Sequence, residues 1–156
     1  MMSSSGDANP LLEHDMSAAL VFFLFLTLQA VADVNPEALE LFRKAEALIG
    51  TPKEYSEEQE GYFAQAVRLA PDFLPARHNL ALVYLKRGKL DEALAELDGL
   101  LSRDPGNINA HLLRADIHIR RKDLDRAGDE LAETLALDRN RIDVVEQLGN
   151  IRLQQK

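Results

Sequence analysis

The sequence predicts an all-α protein: an α-solenoid of about three helix pairs plus a C-terminal closing helix, preceded by a hydrophobic N-terminal helix. Three observations carry that prediction. From about Asn35 onward apolar residues recur at helical spacing, and no stretch alternates as a strand would. Pro71 and Pro105 stand 34 residues apart, and the segments that follow them superpose at the same offset, a period of helix–turn–helix repeats. Ahead of the repeats, Ser17 to Ala32 runs sixteen residues without a charge.

At 156 residues the chain can build one domain with a real core but not two ordinary ones. The absence of cysteine excludes disulfides, thiolate metal sites and a cysteine nucleophile together. The net charge of −8 is carried by the first half: residues 1–37 hold five acids and no Lys or Arg, and residues 38–73 hold seven acids against four bases. Residues 74–107 balance five against five, and 108–141 seven against seven. The basic run Arg120-Arg121-Lys122 is followed by Asp123, Asp125 and Asp129 and reads as a solvated helix end. That is not the footprint of a nucleic-acid-binding protein.

Element by element, residues 1–16 are polar, include Ser3-Ser4-Ser5-Gly6 and read as a disordered tail. The hydrophobic segment at 17–33 admits three readings. Ala30-Val31-Ala32 before Asp33 is a small-x-small pattern that suits a cleaved secretory signal, although the preceding segment is acidic and has no Lys or Arg; a start at Met16 would weaken that objection, leaving an n-region charged only by its amine. An uncleaved anchor is the second reading, its sixteen residues spanning about 24 Å against a hydrocarbon layer of roughly 30 Å. The third is a buried helix, against which stands Phe22-Phe23-Leu24-Phe25-Leu26, apolar all round. Arg43, Lys44 and Lys53 follow the segment and favour a cytoplasmic C-terminal domain for an anchor, whereas the cleavage pattern favours export. The expectation is a membrane-anchored or exported protein, on the extracytoplasmic side or, alternatively, the cytoplasmic face of a membrane.

The repeat domain spans 35–156, with repeats at about 38–73, 74–107 and 108–141 and a closing helix over 142–156. Helical blocks are expected at 36–49, 57–70, 74–87, 91–103, 108–121, 125–137 and 141–154. Asn35-Pro36-Glu37 supplies a cap, a proline at the first helical position and an acid in the first turn. Ser56-Glu57-Glu58-Gln59 has the capping-box pattern. Gly50 and Gly88 follow helix ends, where a left-handed residue is needed, and Asp91 and Asp125 stand where caps of second helices are expected.

Aligned on the prolines, Leu80-Ala81 falls on Arg114-Ala115, Tyr84 on His118, and Gly88-Lys89-Leu90-Asp91 on Lys122-Asp123-Leu124-Asp125. Ala93 falls on Ala127, Leu97 on Leu131 and Leu101 on Leu135. On these residues the chain resembles the tetratricopeptide repeat family, whose pattern asks for a small residue at position 8, an aromatic at 11, Gly at 15, Ala at 20 and Pro at 32. The second repeat supplies Ala81, Tyr84, Gly88, Ala93 and Pro105; the third keeps Ala115 and Ala127 but has His118 and Lys122 at positions 11 and 15. The first matches in its second half with Phe63, Ala66 and Pro71, and its first helix fits if about two residues are inserted in the loop Gly50–Ser56.

The resemblance implies a groove lined from first helices at positions 2, 5, 9, 12 and 13. Carried over, these are Pro75, His78, Leu82, Leu85 and Lys86, then Asn109, Leu112, Asp116, Ile119 and Arg120, with Glu146 and Asn150 from the closing helix. Such a mixed-to-apolar groove suits a peptide or the amphipathic helix of a partner protein, and the alternative is that its leucines pack on neighbours. A subfamily that grips a C-terminal carboxylate uses basic positions that here are Asn109 and Leu113, and only Asn79 matches it. The function expected is therefore non-enzymatic adaptor work, with a structural subunit of a membrane complex, docked through residues 17–32, as the alternative. The glycines are isolated and form no phosphate-cradling loop. His111 and His118 lie seven apart at packing positions, and no nucleophile is paired with a base, so no cofactor, metal or small-molecule substrate is expected.

Overall fold

The structure, a computed structural model, describes residues 34–154. The expected tail at 1–16, the hydrophobic segment at 17–33 and the last two residues of the closing helix lie outside the described residues. Asn35–Lys156 forms one compact unit. Its described helices are α1 (Pro36–Glu46), α2 (Glu57–Leu69), α3 (Leu74–Lys86), α4 (Leu90–Leu101), α5 (Ile108–Arg120), α6 (Leu124–Leu137) and α7 (Ile142–Gln154). Among the described residues none is long and apolar enough to cross a membrane.

Local chemistry sets the boundaries. Asn35 Oδ1 accepts from the N–H groups of Glu37 (2.9 Å) and Ala38 (3.3 Å), which fills two donors that a helix start leaves bare. At α2, Ser56 Oγ accepts from Gln59 N–H at 3.2 Å as expected. The return bond differs: Gln59 Oε1 accepts from Tyr55 N–H at 2.7 Å, one residue before the cap. Gln59 also donates from Nε2 to the Ala45 carbonyl at 3.0 Å, so one buried amide ties α1 to α2. The caps of the later second helices fall two residues earlier than the sequence suggested. Lys89 and Asp123 occupy the cap positions, and Asp91 and Asp125 sit in the first turn, where a carboxylate still favours the helix dipole. Asn107 caps α5 through Ala110 N–H. α1 ends at Glu46, three residues short of the expected 49, and turns occupy the chain to Tyr55.

Helices pair α1 with α2, α3 with α4 and α5 with α6, and each second helix packs on the next first helix, ending with α6 on α7. The close approach is made by small side chains. Ala45, Ala66, Ala76, Ala81, Ala93, Ala110, Ala115 and Ala127 are all at most 1% exposed. Larger residues fill the space between: Leu85, Leu97, Leu100 and Ile117 join α3, α4 and α5, while Leu131, Val144, Leu148 and Ile151 join α6 to α7. In the first pair the filling is aromatic, with Phe42 4.8 Å from Phe73 and 5.6 Å from Phe63, ring centre to ring centre.

Polar groups repeat at the same 34-residue offset. Arg77 donates to the Pro71 carbonyl (2.8 Å) and to Glu96 Oε2 (2.7 Å). His111, 34 residues on, places its ring nitrogens 3.0 Å from the Pro105 carbonyl and 2.7 Å from Glu130 Oε2. His111 therefore stands in for an arginine, tying the proline turn to the second helix of its own pair. Likewise Arg87 pairs with Glu57 and Arg121 with Asp91, each clipping the end of a first helix to the second helix of the preceding pair.

Candidate functional site

The first helices carry the surface that second helices leave uncovered. On α3 and α5, His78, Leu82, Asn109, Leu112 and Leu113 enclose an open cavity of about 410 Å³. It continues into a second of about 370 Å³ through His78 and Asn109, where Phe42 and Glu46 of α1 form one wall and Leu74, Asp104 and Asn107 another. A third, of about 180 Å³, adjoins through Leu82 and Asn79 and is walled by Ile49, Tyr55, Phe63 and Val83. Together the three make one groove crossing α1, α3 and α5.

The groove brings together His78, Leu82, Asn109 and Leu112 of the positions expected from sequence, with Pro75 at its edge. Lys86, Asp116, Ile119 and Arg120 line none of these cavities. Asp116 and Arg120 pair with each other one turn apart at 3.2 Å, and Ile119 is 38% exposed. Leu85 is a correction. It is 1% exposed within the core shared by α3, α4 and α5, so it has no surface to offer a partner.

Phe42, Glu46 and Ile49 are additions to the sequence-derived set. Their signal was present: allowing for the two-residue loop insertion puts them at positions 5, 9 and 12 of the first repeat. The loop that shifts this register also builds part of the wall. Tyr55 adopts a left-handed backbone (φ 60°). Both of its peptide groups are held there, its N–H by Gln59 and its carbonyl by Arg87 Nη1 at 3.0 Å.

Charge in the groove is sparse. Burial pushes the His78 imidazole below its ordinary value and so favours the neutral ring. The Gly50 N–H, and then the Tyr55 hydroxyl and Lys86, hold the Glu54 carboxyl below the usual carboxylate range. The cavity lined by Phe42, Glu46, Asn79, Asp104 and Asn109 contains no Lys or Arg. His111 and His118 take no part in the groove: His111 makes the tie described above, and His118 is 3% exposed between α5 and α6.

Paired helices at a 34-residue period, closed by a single last helix and grooved along the first-helix face, define a helical-repeat scaffold. The chain belongs to the tetratricopeptide repeat family, whose model matches residues 60–108 and 78–142 and so covers more than half of it. It is 30% identical over 112 residues to the tetratricopeptide repeat and J domain-containing co-chaperone DNJ1 of Cryptococcus neoformans var. grubii, a match covering 71% of this chain. The chain spans about a fifth (21%) of that co-chaperone's length. A tetratricopeptide repeat protein from Parabacteroides merdae superposes with a TM-score of 0.71 at 20% identity, over 78% of this chain and 48% of that one. The second such domain of human RPAP3, solved in complex with the HSP70 peptide SGPTIEEVD, gives a TM-score of 0.66 at 18% identity over 74% and 95%. At these identities the likeness speaks to the fold.

Proposed function

We propose that the chain is a non-enzymatic adaptor that holds a peptide or an amphipathic helix of a partner protein in the groove across α1, α3 and α5. The observation that carries this reading is the continuous groove, in which Leu82 and Leu112 supply apolar contact and half-buried Asn79 and exposed Asn109 supply hydrogen-bonding groups. The amide of Asn79 makes no hydrogen bond within the described residues and is free for a ligand's main chain. The peptide-bound human relative supports protein binding as the class of activity. The test is Leu82→Glu, a charge in the groove wall, followed by affinity capture and circular dichroism. Capture of the partner falls at least tenfold with helix content unchanged; unchanged capture refutes the groove.

The sixteen uncharged residues at 17–32 favour a second component of the reading, attachment to or passage across a membrane. On this basis the adaptor works anchored or exported, with a structural subunit of a membrane complex as the alternative role. The intact mass of the natural protein, taken from membrane and soluble fractions, decides among these. A mass beginning at Asp33 in the soluble fraction means export. A longer mass in the membrane fraction means an anchor, and the same longer mass in the soluble fraction removes both.

A further inference from the structure

We infer that the groove selects a segment carrying one large apolar side chain close to a Lys or Arg, and rejects acidic tails. The inference rests on the groove reading and names its ligand's chemistry. Two features on either side of Asn79 carry it. On one side is the compact cavity of about 180 Å³ whose surface is mostly apolar, from Ile49, Tyr55, Phe63, Leu82 and Val83, with Glu54 and Gln59 as further lining residues. Its wall is built rather than incidental, because the positive-φ backbone of Tyr55 is fixed at both peptide groups by Gln59 and Arg87. Its polar groups are largely engaged within the protein, Glu54 by the Gly50 N–H and the Gln59 amide by Tyr55 and Ala45, so an apolar side chain fills it best, and Glu54 adds a further carboxylate against an acidic ligand.

On the other side of Asn79 is the acidic end. Glu46 makes no side-chain ion pair or hydrogen bond among the described residues, and the Asp104 carboxylate accepts only from Asn107 Nδ2 at 2.9 Å. The positive N-terminus of α5 also faces this end, but Asn107 already occupies its first turn through Ala110 N–H. With Phe42 as the floor and no cation in the lining, a carboxylate entering here meets two carboxylates and no counter-charge, whereas an ammonium or guanidinium group meets both carboxylates. Glu46 is the last residue of α1 and Ile49 lies three residues on, in the turn that follows, so the cation and the apolar anchor of the ligand should lie within a few residues of each other.

The experiment is selection of a random twelve-residue peptide library on the full-length protein, with affinities of the winners measured by fluorescence anisotropy. Enrichment of a large apolar residue near Lys or Arg is expected. Replacing that apolar residue by Ala should weaken binding about tenfold or more. Replacing the cation by Glu should weaken it about two- to fivefold, as for an exposed pair. Glu46→Lys, a surface change that leaves the core untouched, should invert the charge preference of the library. Enrichment of Asp or Glu, or binding of SGPTIEEVD as tight as that of the winners, overturns this inference while leaving the groove in place. Winners that bind Leu82→Glu as well as the parent overturn the groove reading, and this inference with it.

Discussion

At the scale of single residues, the third repeat keeps the backbone of the second while changing its side chains. Gly88 has φ 77° and Lys122, at the same repeat position, φ 60°. The same hydrogen bonds close both turns: Lys89 N–H to the Tyr84 carbonyl and Asp123 N–H to the His118 carbonyl, each 2.9 Å. Lys122 thus sits where an L side chain costs about 1–2 kcal/mol, offset by the roughly 0.5–1 kcal/mol of extra unfolded-state freedom that Gly brings. Lys122→Gly should raise stability by about 0.5–1 kcal/mol in urea unfolding; a loss would show that the lysine side chain compensates. His118 is the second such case, an imidazole where Tyr84 stands one repeat earlier. Burial pushes its pKa below 6.5, with Asp123 and Glu130 opposing and Arg114 and Arg126 assisting, and its Nδ1 has no hydrogen-bond partner. The folded state therefore disfavours the proton. The associated stability is present above the unfolded value of 6.5 and is lost as pH falls below it towards the folded value; His78 acts with the same sign. His118→Phe should flatten the fall in melting temperature between about pH 7.5 and about pH 5.5, and an unchanged slope would place the sensitivity elsewhere.

At the scale of elements, the helix pair is set by small residues at fixed positions. Ala81 of α3 and Ala93 of α4 are 1% and 0% exposed, and the pair continues into Leu85 and Leu97. Ala93→Leu should overpack this contact and destabilise by about 1–3 kcal/mol, read as a lower melting temperature; an unaltered melt would mean the pair has slack. The helices and their order were legible in the sequence because capping residues, prolines and the 34-residue offset are local or periodic signals. The cap positions of α4 and α6 were misplaced by two residues because Asp91 and Asp125 look like caps. Lys89 has no capping side-chain bond, and it is tertiary pairing with Glu60, at 2.7 Å, that holds it. The ties from Arg77 and His111 to their proline turns were in the sequence at the 34-residue offset too. Arg and His do not look equivalent until both are seen reaching a proline carbonyl and a glutamate.

At the scale of the whole repeat unit, each pair has an apolar face that only its neighbour covers, so stability runs along the array. The last pair is closed by Val144, Leu148 and Ile151 of α7, which pack on Ala115, Ala127 and Leu131. Removing residues 142–156 should expose that face, lower the melting temperature and increase binding of a hydrophobic dye. If neither changes, the third pair is self-sufficient and α7 is an appendage. The groove belongs to this scale as well, since no one pair contains it: α1 brings Phe42 and Glu46, α3 brings His78 and Leu82, and α5 brings Asn109 and Leu112.

The all-α class, the repeat, the family and, over residues 34–154, the number and order of helices could be read from the sequence, because these follow from periodicity and from residues whose conformational preferences act locally. It also marked some of the first-helix positions that line the groove, namely Pro75, His78, Leu82, Asn109 and Leu112. Which of the expected positions line the groove depended on the packing of the helices. Leu82 and Leu85 are the same residue type three apart on one helix, yet one lines the groove and the other is buried in the core shared with α4 and α5. That difference depends on the direction in which a neighbouring helix crosses, which no local signal encodes. The apolar cavity beside Tyr55 is of the same kind, since it exists only where an inserted loop, a strained residue, a local bond from Gln59 and a bond from distant Arg87 meet.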